Sequence, residues 1–155
     1  MNLREALSRM ASSVCVATSG PPGHAHGVTL TSVVALAVDP PLLGFALTTR
    51  SRMLAMLRPG TRLAIAVLAE DQRGLATACA TPGRGPVAEH LLDRDADGTP
   101  IVEASAAAFR LRVLHRVPAG DHAFVLASVE DSRASRSAPL LYFGRRFSQL
   151  DQSRH

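Results

Sequence analysis

Clusters of proline and glycine cut this sequence into runs too short for long helices. Gly20-Pro21-Pro22-Gly23, Asp39-Pro40-Pro41 and Pro59-Gly60 each interrupt regular structure. Proline fixes its own φ, lacks an amide proton and pushes its predecessor away from the helical region, while glycine opens turn conformations. The intervening segments are apolar and often β-branched: Val14 to Thr18, Gly27 to Val38, Leu42 to Leu47, Leu63 to Leu68, Phe109 to Val117, His122 to Val129 and Leu140 to Phe143. Each reads as a strand. Helical spacing is confined to residues 2–11, to Met53, Leu54 and Leu57 after a Ser51 N-cap, and to Asp71 to Cys79. Residues 82–100 hold proline, glycine and charge without periodicity and read as a long loop or lid-like excursion.

About six or seven short strands with two or three short helices suggest a closed β-barrel with helical decoration, and disfavour a doubly wound parallel sheet. At 155 residues, 46% of them hydrophobic, the chain can bury one core without staples. We expect one domain over residues 1–150 and a polar tail over 151–155. No apolar run reaches the roughly 18 residues of a membrane span, and MNLREALSRM lacks a secretory apolar core. The expectation is a cytoplasmic protein that binds no membrane. Cys15 and Cys79 form no CxxC pair, no His/Cys spacing suits zinc, and His24-x-His26 reads as an exposed hairpin tip. We therefore expect no metal. The net charge of +4 comes from 17 basic residues, all arginine, against 13 acidic ones. The arginines are scattered and tryptophan is absent, which argues against nucleic acid and suits a small anionic ligand. The Ala- and Arg-rich composition points to a GC-rich bacterial coding bias.

Three stretches carry candidate chemistry. Gly27-Val28-Thr29-Leu30-Thr31-Ser32 places hydroxyls along a strand, where they can hydrogen-bond an uncharged heterocycle or serve as ordinary strand residues. Thr48-Thr49-Arg50-Ser51-Arg52 combines a capped helix start with two guanidiniums; it is either a phosphate seat or a solvated surface helix. Gly120-Asp121-His122 precedes an apolar strand and offers a histidine as proton donor, ligand contact or surface residue, with Asp121 pointing away to hold the turn. Dinucleotide-fold glycine motifs, P-loops and nucleophile elbows are absent.

In order, these pieces resemble the flavin reductase-like family. The resemblance runs from the G-x-T-x-T-S strand at Gly27 to Ser32, through Asp39-Pro40-Pro41-Leu42, Ser51-Arg52-Met53, Val67-Leu68 and the Gln72 to Ala76 helix. It ends at Ala119-Gly120-Asp121-His122 and Phe143-Gly144-Arg145-Arg146-Phe147, and spans about residues 5–150. It implies a mainly β fold, an FMN-binding Greek-key split β-barrel with two or three short peripheral helices, working as a homodimer. It implies an NAD(P)H-dependent flavin reductase that uses NADH or NADPH to reduce FMN or FAD for a partner monooxygenase. Thr29, Leu30, Thr31 and Ser32 would line the isoalloxazine, Ser51 and Arg52 would meet the phosphate or ribityl end, Phe147 would lie near the ring and His122 would contact the nicotinamide. Three positions depart from the pattern. Ala66 stands where an asparagine is usual, Cys79 where an aromatic is usual, and no D-(R/K)-F element lies between Thr81 and Glu89. These departures imply loose, dissociable flavin binding; they also fit a member without reductase turnover, acting as a flavin carrier, an accessory subunit or a repurposed pocket.

Overall fold

The computed structural model describes residues 2–151. Among these, the strands are β1 (Ser12–Ser13), β2 (Cys15–Ser19), β3 (His26–Leu30), β4 (Val34–Val38), β5 (Pro41–Thr48), β6 (Arg62–Val67), β7 (Leu92–Arg94), β8 (Pro100–Val102), β9 (Ala107–Ala119), β10 (His122–Ala134), β11 (Leu141–Phe143) and β12 (Arg146–Ser148). The helices are α1 (Leu3–Leu7), α2 (Arg52–Met56) and α3 (Arg73–Ala80), with a single 3₁₀ turn at Glu89–Leu91. Seven strands form one antiparallel sheet in the order β3-β2-β6-β9-β10-β5-β4. β1, β11 and β12 form a second sheet, and β7 with β8 a third.

The sheet is not closed into a barrel by backbone hydrogen bonds, contrary to the expectation of closure: β3 and β4 are its two edges. The chain breaks at residues 31–33, so the single strand expected from Gly27 to Val38 is two. Ser32, in that break, bridges to β5. Its Oγ donates to the Ala46 carbonyl at 3.0 Å and accepts from the Ala46 amide at 3.1 Å. Residues 82–100, expected to be irregular, contain the 3₁₀ turn and β7, with β8 starting at Pro100. Strands this short carry too few side chains for a period to show. The expected polar tail lies outside the described residues apart from Asp151.

Large and small residues alternate along β6 and create two cores. Leu63 and Ile65 face inward to meet Phe45, Leu111 and Val125, with Met53 of α2 and Leu57 at its C-cap filling the interior. Ala64 and Ala66 face outward with Val16 and Ala108, and are covered by Ala76 of α3, Val87, Ile101 and Leu140. An ion-pair network fastens the β7–β8 turn to the sheet: Arg62 reaches Asp97 at 2.6 Å and Glu130 at 2.9 Å, Arg112 reaches Glu130 at 2.6 Å, and Arg133 reaches Asp93 at 3.2 Å. Partial burial would raise the Glu130 carboxyl, but hydrogen bonds from Arg112 and Arg62 outweigh it and hold the group below its ordinary range.

β5 and β10 depend on one glycine. A Cβ at Gly44 would stand 2.1 Å from Phe124 Cζ and 2.8 and 3.0 Å from its two Cε atoms, so the tip of the ring occupies the space over the bare backbone of the neighbouring strand. We expect Gly44→Ala to displace the ring and destabilise the fold by about 1–3 kcal/mol, the usual cost of overpacking, measured as a lower midpoint in urea.

Candidate functional site

Where α3 and the 82–91 segment lie over the sheet, they leave a cleft of about 770 Å³. This lies within the range of roughly 300–1,000 Å³ common for small-molecule sites. Three stretches line it: residues 26–28 of β3, Thr48 and residues 50–52 at the start of α2, and parts of residues 71–91. Gly27 is required here by close approach, because a Cβ at that position would come within 2.6 Å of Val87 Cγ2 and 3.0 Å of Cys79 Sγ.

The residues singled out from the sequence separate into those on the cleft and those that build around it. Ser51 and Arg52 line it. Ser51 Oγ caps α2 by accepting from the Leu54 amide at 3.3 Å, as its position before Met53 predicts. Thr29, Leu30, Thr31 and Ser32 are not among the lining residues, whereas His26, Gly27 and Val28 of the same strand are. Thr29 Oγ1 donates to the Ala76 carbonyl at 2.6 Å and fastens α3 to β3. Leu30 is buried in the inner core, Thr31 is exposed, and Ser32 is the bridge to Ala46. Phe147 packs against the outer core, edge-on to Tyr142 at 5.9 Å between centroids, with the Arg73 guanidinium 5.1 Å from its ring. Ala66 is fully packed among the outer-core residues and does not reach the cleft, while Cys79 does.

His122 opens β10 opposite Thr48, a cleft residue. The turn before it is Gly120-Asp121, with Gly120 at φ 65°, the arrangement of a type II′ hairpin. The Thr49 amide donates to the Asp121 carbonyl at 2.9 Å, which ties this turn to the cleft rim. The Asp121 side chain does not point away as expected: Oδ1 lies 2.7 Å from His122 Nδ1. That hydrogen bond holds the Asp121 carboxyl below its ordinary range.

Among the cleft residues that sequence reasoning missed, His26 and Arg84 carry side chains of chemical interest. His26 was expected at an exposed tip with His24, but it is half-buried as the first residue of β3. Its period-two relation to Val28 was the available signal. Arg84 sat in a stretch without periodicity and gave none. The cleft is cationic, with Arg50, Arg52 and Arg84 against the single carboxylate of Asp71. Its volume and guanidiniums suit a phosphorylated heterocycle such as a flavin nucleotide, although among the described residues no Phe, Tyr or Trp lines it. α2 is only five residues long, so the arginines, more than a helix dipole, supply the field.

The chain is thus an open, antiparallel sheet assembly with a cationic cleft against its outer face, of a size and charge to take a small phosphorylated ligand. The family model "Flavin reductase like domain" matches residues 7–151, and the chain belongs to this family. It is 33% identical over 150 residues to an NADH:riboflavin 5'-phosphate oxidoreductase of Streptomyces pristinaespiralis, covering 94% of this chain and 85% of the relative. It is 29% identical over 152 residues to the reductase component of 4-hydroxyphenylacetate 3-monooxygenase from Thermus thermophilus, covering 95% and 94%. Among solved structures, the styrene monooxygenase flavin reductase (SMOB) from Pseudomonas putida S12 superposes with a TM-score of 0.87 at 26% identity, covering 97% of this chain and 98% of that one.

Burial, and then the nearby Arg52 charge, lower the His26 pKa below the ordinary histidine value. The neutral imidazole is therefore favoured in the fold. Its contribution to stability is complete above the unfolded pKa of about 6.5 and is lost as pH falls through the folded value. An NMR titration should place the His26 midpoint below 6.5, and Arg52→Gln should move it upward.

Proposed function

We propose that this chain is an NAD(P)H-dependent flavin reductase that supplies reduced FMN or FAD to a partner monooxygenase. The observation that carries this reading is the cationic cleft between α2, α3 and β3 in a member of this family. A bound flavin supplies the redox chemistry by accepting a hydride from the nicotinamide, and the protein supplies position and environment. Arg50 and Arg52 attract the phosphorylated end, while Val28 and Leu75 present apolar surface to the ring. Asp121 engages Nδ1 of His122 and leaves Nε2 for the nicotinamide cofactor. Thr29, Ser32 and Phe147 then act by fastening the elements around the cleft, while Thr31 stays exposed and outside its lining. The absence of an aromatic wall favours weak, dissociable flavin binding, which suits a protein that passes reduced flavin on.

We place the protein in the cytoplasm as a homodimer. Among the described residues, no helix is long and apolar enough to cross a membrane. The edge strand β4 exposes Val34, Leu36 and Val38, the last at 92%. An unpaired apolar edge of this kind is ordinarily covered by another chain. Light scattering should return a dimer at micromolar concentration, and Val38→Asp should shift it toward monomer.

The direct test is NADH and NADPH oxidation with FMN or FAD as acceptor, alongside flavin titration. Turnover with micromolar flavin affinity supports the reductase; flavin binding without turnover supports a carrier or accessory role. His122→Ala should raise KM for NAD(P)H about 5- to 150-fold, equivalent to roughly 1–3 kcal/mol, and leave flavin affinity unchanged. An unchanged KM removes His122 from the site.

A further inference from the structure

The arginines of the sheet's outer surface and those of the cleft differ in their company. Arg62, Arg94, Arg110, Arg112 and Arg133 each have a carboxylate partner at 2.6–3.2 Å. Among the described residues, Arg50, Arg52 and Arg84 have neither an ion-pair partner nor a guanidinium hydrogen bond, although all three line the cleft. Arg50 and Arg52 lie on the segment entering α2, whereas Arg84 comes from a separate stretch, Pro82-Gly83-Arg84-Gly85-Pro86, which also lines the cleft. Neither Gly83 nor Gly85 has anything near the position a Cβ would occupy, so the segment is unpacked on both sides of Arg84. Gly83, at φ 73°, takes a conformation that other residues rarely adopt. The guanidinium nonetheless acts on the cleft, since its charge is felt at the Cys79 thiol, where it opposes the upward push of burial.

We propose that Arg84 is a specificity residue that makes the cleft select phosphorylated flavin over unphosphorylated flavin. The proposal rests on the flavin reading above and adds to it a second source of positive charge, separate from the α2 segment. A cation with no carboxylate partner loses no existing ion pair when a phosphate arrives, and its flanking glycines let the backbone adjust. Riboflavin has the same ring as FMN without the phosphate, so comparing the two isolates this contribution.

The experiment is a flavin-fluorescence titration of riboflavin and of FMN against the wild-type chain, Arg84→Ala and Arg84→Lys, at low and high ionic strength, with an NADH titration in parallel. We expect the wild type to bind FMN more tightly than riboflavin, with a gap that salt narrows. Arg84→Ala should weaken FMN about tenfold, as loss of a charge-assisted hydrogen bond does. Riboflavin and NADH affinities should stay unchanged, and Arg84→Lys should recover part of the loss. Equal weakening of FMN and riboflavin, or no weakening of FMN, overturns the assignment. Weakening of NADH alone also overturns it, by giving Arg84 to the nicotinamide nucleotide. Failure of the wild type to bind either flavin overturns the flavin reading itself, whereas FMN binding with an unchanged preference in Arg84→Ala overturns only the role of Arg84. If Arg84→Ala does not fold, Arg84→Gln takes its place with the same two readings: a reduced FMN preference supports the proposal, and an unchanged preference overturns it.

Discussion

Small side chains on the outward face of the sheet make the rest of this molecule possible. Val16, Ala64, Ala66 and Ala108 present a shallow surface, and α3 and the 82–102 region can lie close against it. Inward, the same strands carry Leu63, Ile65 and Leu111, which fill the barrel. One strand thus belongs to two cores whose side chains differ in size because the spaces differ. The cleft exists where that outer layer lifts from the sheet, and Gly27 continues the same requirement on β3, with Val87 and Cys79 pressing where a side chain would otherwise stand.

Much of the barrel was legible in the sequence because its strands are long enough to show a pattern and are bounded by proline or glycine. β5 and β6 agree with the expected segments to within a residue or so, and Ser51 caps α2 as its spacing implies. β7, β8 and β12, at three residues each, lie below the length at which alternation can be read. The break between β3 and β4 was hidden because Thr31, Ser32 and Val33 have strand-like propensities. Only the tertiary contact of Ser32 with Ala46 makes a bend useful there.

The site was less legible than the fold, for a geometric reason. Sequence marks a polar side chain but not the direction in which it is consumed. Thr29 looks available for a ligand, yet its hydroxyl donates to the Ala76 carbonyl in the middle of α3. Phe147 looks like a ring to stack on, yet Tyr142 and Arg73 occupy its edge and face. Ser51 and Arg52 were findable because a helix start is a local event, while His26 and Arg84 reach the cleft only through long-range packing.

The cleft has one rigid jaw and one pliant jaw. Arg52 opens a helix whose Met53, with Leu57 at its C-cap, is wholly enclosed in the inner core, so a ligand gripped there would stabilise the core itself. The jaw bearing Arg84 is held through Val87 in the outer layer, whose amide donates to the Ala25 carbonyl at 2.9 Å, while Gly83 and Gly85 on either side of Arg84 have open space where a Cβ would stand. A ligand held between the two would therefore draw on the enclosed core at one end and on a locally packed segment at the other, two very different shares of the global stability.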